Sequence, residues 1–149
     1  MTIFILVTFA TFTIMEGVTW FTHKYIMHGF GWFLHEDHHQ PGYPNVFEKN
    51  DAFFVVFAIP SILLFFFGIR PILNPLFFIG LGILFYGIAY FVVHDVLIHR
   101  RFSWFKNTNN WYLKGLRKAH KIHHKKMGKP DGECFGMLLV PFKYFKEYR

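Results

Sequence analysis

Long apolar runs alternate with short polar segments along this chain, and three of the runs are long enough to cross a bilayer. The first covers Thr2 to Phe21 and is broken only by Glu16. The second, Ala52 to Ile69, carries no charge over 18 residues, and the third, Pro71 to Val93, carries none over 23. At a rise of about 1.5 Å per residue, each predicts a helix that spans a hydrocarbon layer of roughly 30 Å. Gly68-Ile69-Arg70-Pro71 reads as a tight turn, so the second and third runs form a hairpin. Pro60 predicts a kink in the second. The stretch 135–145 is apolar but too short for a fourth span, and it predicts an interfacial segment. The expected fold is an all-α integral membrane protein of about three transmembrane helices with added cytoplasmic and interfacial helices. At 149 residues one domain, 1–149, is the natural reading.

Composition supports a membrane setting. Hydrophobic residues make up 53% of the chain and 22 of its residues are Phe, more aromatic surface than a soluble core of this size uses. The first run lacks a basic leader and a small-residue cleavage site before His23, so it reads as a retained span rather than a signal peptide. No transit-peptide pattern is present, which points to a bacterial inner membrane. Thirteen of the 16 Lys and Arg follow His99, against three acidic residues there. The positive-inside rule places this tail in the cytoplasm. Tracing back, the loop after the first span is cytoplasmic and the N-terminus lies outside. The basic run 114–129 suits anchoring on anionic lipid, and it also suits docking of an acidic electron-transfer protein. Basic residues held against the membrane among histidines do not suit nucleic acid.

All ten histidines fall into four boxes: His23-x4-His28, His35-x2-His38-His39, His94-x4-His99 and His120-x2-His123-His124. The second pair of boxes repeats the spacings of the first, and the traced topology puts all four on one membrane face. Neutral imidazole is the commonest protein ligand of transition metals. Ten exceed what one ion takes, so the count predicts two metal ions with roughly half the set each. On a helix, residues three and four apart share a face, so each HxxHH triplet can converge on one locus. Residues five apart diverge by about 140° on an α-helix. The x4 pairs therefore predict a helix end, a bend or a π-bulge, or ligands serving different metals. Gly29 and Gly31 suggest an end just after His28.

His35-Glu36-Asp37-His38-His39 also matches the H-E-x-x-H helix of zinc proteases, with Glu36 as base. The matching box at His120 lacks the Glu, and a protease leaves seven or eight histidines unexplained. A haem with paired axial histidines uses two to four imidazoles and does not account for the triplets. Candidate acceptors for imidazole N–H groups are Asp95, Glu36 and Asp37. Glu16 is an ionisable group inside a span, a functional candidate by its position. Tyr86, Tyr90, Phe91, Trp20 and Phe21 sit at a depth suited to lining a lipid path. One cysteine, Cys134, leaves no disulfide and no cysteine-ligated cluster, and there is no glycine-rich dinucleotide fingerprint.

The four boxes in this order, with His23-Lys24-Tyr25-Ile26-Met27-His28-Gly29, Phe47-Glu48-Lys49-Asn50-Asp51, His94-Asp95, Ala119-His120-Lys121-Ile122-His123-His124 and Phe135-Gly136, resemble the bacterial β-carotene hydroxylase family. That family sits within the membrane fatty acid hydroxylase and sterol desaturase superfamily. The resemblance covers nearly the whole chain, with no box histidine substituted. It implies a non-haem di-iron oxygenase that uses O2 to hydroxylate the β-ionone rings of β-carotene at C3, giving β-cryptoxanthin and then zeaxanthin. It implies that His23, His28, His35, His38, His39, His94, His99, His120, His123 and His124 hold the two irons, without saying which five hold which. An oxygenase without its own redox cofactor implies an external electron donor, such as a ferredoxin with its reductase.

Overall fold

The computed structural model describes residues 1–40, 47–102, 104, 107–125 and 132–148. The described residues contain helices and loops and no strand. Helix α1 (Thr2–Phe21) runs on as a π-helical segment, Thr22–Phe30. A short α2 (Trp32–His35) and a 3-10 turn at Asp37–His39 follow. Helix α3 (Ala52–Gly68) is entered through a 3-10 turn at Lys49–Asp51. Helix α4 (Pro75–Tyr90) also ends in a π-helical segment, Phe91–Ile98. Helix α5 (Trp111–Lys125) carries the last histidine box.

Three continuous helical stretches, Thr2–Phe30, Lys49–Gly68 and Pro75–Ile98, are long and apolar enough to cross a membrane. Most of their surface faces outward, with Ile3, Phe9, Val55, Ile62 and Phe67 all exposed. Water would not tolerate so much apolar surface, whereas lipid requires it.

The third span starts at Pro75, four residues later than its apolar run. Asn74 sets that start: its side chain accepts from Leu76 N at 3.0 Å, and Pro75 occupies the first helical position. The turn between the second and third spans is correspondingly longer than the four residues expected. Pro60 lies inside α3, and the helix continues through it. Trp20 and Phe21 line no interior path. Both are exposed and pack on Tyr25, with Lys24 Nζ 4.9 Å from the Trp20 ring, an arrangement suited to the lipid–water boundary.

Helix α5 is amphipathic and buries Gly115, Leu116, Ala119, His120 and His123. Asn110 caps it by accepting from Leu113 N. The Phe145 ring seats on Gly115, where a Cβ would lie 2.1 Å from the ring. The stretch 135–145 is indeed no span. It forms irregular chain with a bend at 137–138 and a 3-10 turn, Phe142–Tyr144, and its first residue, Phe135, packs on His23, His28 and His123.

Glu16 fixes that stretch in place. Its carboxylate accepts from Tyr86 Oη at 2.6 Å and from the backbone N–H groups of Met137, Leu138 and Leu139 at 2.8–3.1 Å. Gly136 permits this approach, since a Cβ there would sit 3.0 Å from Glu16 Oε1. A carboxylate inside an apolar span is thus fully hydrogen-bonded, as burial demands. Each buried hydrogen bond to a charged group contributes about 1.5–3 kcal/mol. We expect Glu16→Leu to release residues 137–139, lowering the unfolding temperature in detergent and exposing the C-terminal stretch to protease. Unchanged protection of that stretch would contradict this role.

Candidate metal centres

The two x4 pairs are reconciled by the π-helical segments. A π-helix bonds each N–H to the carbonyl five residues back, so residues five apart come to one face. His99 N donates to His94 O at 2.9 Å, an i+5 bond linking the two box residues themselves. Gly31 N donates to Ile26 O at 2.9 Å with the same spacing. The paired rings then lie 5.1 Å apart for His23 and His28, and 4.5 Å apart for His94 and His99. The first segment breaks at Gly29, whose backbone leaves the helical region just after His28.

The ten imidazoles assemble into two groups. His23, His28, His35, His39 and His123 have candidate ligand atoms all within 4.8 Å of one another, and so do His38, His94, His99 and His120. His124 lies against both groups, with its Nε2 2.8 Å from His120 Nε2 and its ring stacked on His39 at 4.3 Å. Each HxxHH triplet is therefore divided between the groups rather than converging on one locus. His35 and His39 face the first group while His38 faces the second. In the last box, His120 and His124 face the second while His123 faces the first. Each x4 pair stays whole. The result is a set of five and a set of four, with His124 beside the second through His120, and the second pair of boxes repeats, with the groups exchanged, the division made by the first.

The inner nitrogens face each other closely. Nε2–Nε2 separations are 3.2 Å for His23 and His35, 3.1 Å for His28 and His123, 3.1 Å for His35 and His39, 3.0 Å for His38 and His94, and 2.9 Å for His99 and His120. The outer nitrogens donate. His38 Nδ1 donates to Glu48 Oε2 at 2.7 Å and His94 Nδ1 to Asp95 Oδ2 at 3.3 Å. His35 Nδ1 donates to Asn50 Oδ1 at 2.7 Å, His23 Nδ1 to Phe135 O at 3.0 Å, and His123 Nδ1 to Glu133 O at 2.9 Å.

This pattern fits a metal. A carboxylate only accepts, so His38 and His94 each carry their proton on Nδ1. Their two Nε2 lone pairs then point at each other across 3.0 Å, which is repulsive unless a cation lies between them. Imidazole ligands about 2.1 Å from a shared ion stand about 3.0 Å apart at right angles and about 3.4 Å apart in a tetrahedron. Separations of 2.9–3.2 Å are in the range of ligands that share an ion.

Two of the five acceptors come from a segment whose role the sequence did not disclose. Glu48 and Asn50 hold His38 and His35, while Asp51 closes the turn by accepting from Glu48 N. Arg101 binds this segment to the third span, reaching Glu48 at 2.5 Å, Asp51 at 2.9 Å and Asp95 at 3.1 Å. Of the three acidic residues expected to serve, Asp95 does contact an imidazole. Asp37 instead accepts from Lys49 N at 2.7 Å, tying two turns together. Glu36 is exposed, pointing away from the histidines. It lacks the position of a protease base. The basic helix α5 keeps Lys121 and Lys125 exposed, and residues 126–129 of the basic run lie outside the described residues.

The profile of the fatty acid hydroxylase family matches residues 8–144. The chain belongs to the fatty acid hydroxylase family. Among its relatives, the chain is 44% identical over 136 residues to a beta-carotene hydroxylase of Pantoea ananas, covering 91% of this chain and 77% of that protein. It is 45% identical over 126 residues to a beta-carotene hydroxylase of Pseudescherichia vulneris, covering 85% and 70%. A chloroplastic beta-carotene 3-hydroxylase of Haematococcus lacustris is 42% identical over 132 residues, which cover 85% of this chain and 40% of that longer protein. No solved structure matches the chain.

Burial sets the protonation of the histidines outside the spans. It holds His35, His99 and His123 at about 3 and His124 at about 4, with neighbouring imidazoles adding to the effect. His38, His39 and His120 are lowered too, again chiefly by burial. The site thus presents neutral, ligand-ready imidazoles. In the unfolded chain the same residues take up protons near pH 6.5. Between about pH 6.5 and 3 the unfolded state binds more protons, so stability falls as pH falls. We expect chelator-treated protein in detergent to lose thermal stability steadily from pH 7 to 5, and an unchanged unfolding temperature would contradict it. Glu48→Gln should weaken metal binding by about 10–100-fold through His38 while sparing the first group. Titration of the stripped protein with metal would show one of two binding steps weakened.

Proposed function

We propose that this fatty acid hydroxylase family member is a β-carotene 3-hydroxylase, a single membrane-embedded domain that uses O2 to hydroxylate the β-ionone rings. The product of one reaction is β-cryptoxanthin and of two is zeaxanthin. The observation that carries the reading is the pair of imidazole groups, on a chain similar over most of its length to proteins named beta-carotene hydroxylases. All-imidazole ligation suits iron, zinc, copper or nickel. Iron is the member of that set that suits O2 chemistry, and the count of imidazoles exceeds the four ligands of a structural zinc site. In this reading, His23, His28, His35, His39 and His123 hold one iron, and His38, His94, His99, His120 and His124 hold the other.

Two bound irons supply the oxidising power that protein side chains lack. The balance of the reaction is R–H + O2 + 2 electrons + 2 protons giving R–OH and H2O. The chain's own residues hold and orient. Glu48, Asn50, Asp95 and the carbonyls of Phe135 and Glu133 keep the protons of His38, His35, His94, His23 and His123 on Nδ1, so that Nε2 stays a ligand. Packing of the Phe135 ring against His23, His28 and His123 keeps water from one side of the first group.

The two electrons come from outside, because the chain has a single cysteine and no dinucleotide fingerprint. A ferredoxin with its reductase, docking on the basic face of α5, fits that need. The charge bias of the chain supports placing the histidines on the cytoplasmic face of a bacterial inner membrane.

The test is expression in a β-carotene-producing bacterium grown in air with iron, with pigments identified by chromatography and mass spectrometry. We expect β-cryptoxanthin and zeaxanthin from the wild type and none from His123→Ala, which also loses metal. Unchanged β-carotene in the presence of membrane-inserted, iron-loaded wild-type protein and a working donor would overturn the substrate assignment.

A further inference from the structure

The second and third spans touch closely at the end away from the histidines and part near them. At the far end, a Cβ on Gly68 would lie 2.2 Å from Phe77 N. Ser61 Oγ donates to Gly80 O at 2.9 Å, where a Cβ on Gly80 would lie 3.1 Å from Ser61 O. Small residues let the two backbones approach, as in other membrane helix pairs. Two turns further along α4 the contact has opened, and a Cβ on Gly87 would meet nothing within 4 Å.

Two cavities occupy the opening. The inner one is narrow, about 50 Å³, and lies among all three spans at the histidine end. The outer one, about 500 Å³, is a groove along α3 from Phe54 to Phe65, closed on its other side by α4. Its length is about 16 Å at the helical rise. Phe54, Phe57, Ile83 and Gly87 line both, so the two adjoin across these four residues.

The inner cavity is separated from the imidazole groups by one layer of side chains. Asn50 lines it and accepts from His35 Nδ1, and Tyr90 lines it with its ring 4.8 Å from the His94 ring. No charged side chain lines either cavity. An anionic headgroup would lie there unpaired, at high cost, so the occupant is uncharged from end to end. Polar groups gather at the inner end, in Thr19, Thr22, Asn50, Tyr86 and Tyr90. They suit an end that enters as hydrocarbon and leaves as an alcohol. The single hydroxyl in the outer groove, on Ser61, is already donated to Gly80.

We infer that the two cavities form one binding site for a long uncharged lipid, with its cyclic end seated in the inner cavity and its chain lying in the groove between α3 and α4. The volume of the outer groove, about 500 Å³, is within the roughly 300–1,000 Å³ of small-molecule pockets. The outer groove opens toward lipid, so the ligand enters sideways from the bilayer and never crosses water. Gly87 is the passage between the two parts. This inference rests on the carotenoid reading above for the identity of the lipid.

The experiment compares Gly87→Phe with Gly17→Phe. A Cβ on Gly17 would likewise meet nothing within 4 Å, but Gly17 is exposed on α1 away from both cavities. Purified proteins are assayed for metal content and for retained β-carotene by its absorbance, and the producing strains for hydroxylated pigment. We expect Gly87→Phe to keep its metal, to lose bound β-carotene and to drop hydroxylated product at least about tenfold, while Gly17→Phe behaves as wild type. If Gly87→Phe loses metal, Ile83→Phe from the same wall carries the same expectation. Wild-type turnover in a metal-loaded plug variant overturns the passage and leaves the hydroxylase reading intact. A wild type that turns over no β-carotene but retains it, with retention lost in Gly87→Phe, overturns the reaction and keeps the site. Purified wild type that retains phospholipid and no β-carotene overturns the assignment of the occupant.

Discussion

Ten imidazoles, eight of them buried and two half-buried, with their Nε2 atoms turned toward one another are the constraint from which the rest of the structure follows. Where the outer nitrogens donate to carboxylates, as in His38 and His94, the facing lone pairs repel, and burial removes the option of protonating them. A cation at each focus would turn that repulsion into attraction. The fold must therefore deliver ten rings to two points, keep each proton on the outer nitrogen, and do so at a membrane surface.

Three devices meet these demands. The π-helical ends of the first and third spans bring residues five apart together, which an α-helix cannot do. The two HxxHH boxes each serve both foci, so α5 and the short turn after α2 tie the groups to each other. The acceptors arrive from a turn at Glu48–Asp51 and from the chain at Glu133–Phe135. Arg101 secures the first of these and Glu16 the second. Glu16 is thus a structural anchor reaching from the middle of a span to the backbone that holds His23.

Much of this was legible in the sequence, for physical reasons that differ by element. Uncharged runs of 18 and 23 residues mark spans because lipid admits little else. The x4 spacing signalled irregular helix at both boxes because its geometry is incompatible with about 3.6 residues per turn. The division of each triplet was not legible. Spacing says which side chains share a face, but not that His38 turns to one focus while its neighbours turn to another. Glu48 and Asn50 were visible only as part of a resemblance, since an acceptor's role depends on a contact made across ten or more residues. Glu36 looked suitable from its place beside His35, yet the helical turn points it outward. Trp20 and Phe21 had the right depth and the wrong face.

The central claim is that two metal ions are held, each by five imidazoles. Metal analysis of the purified protein together with X-ray absorption at the iron edge tests it most directly. We expect two irons per chain, each with about five nitrogen neighbours of imidazole type and no sulfur. One metal per chain, or a closed four-ligand tetrahedral shell, would contradict it.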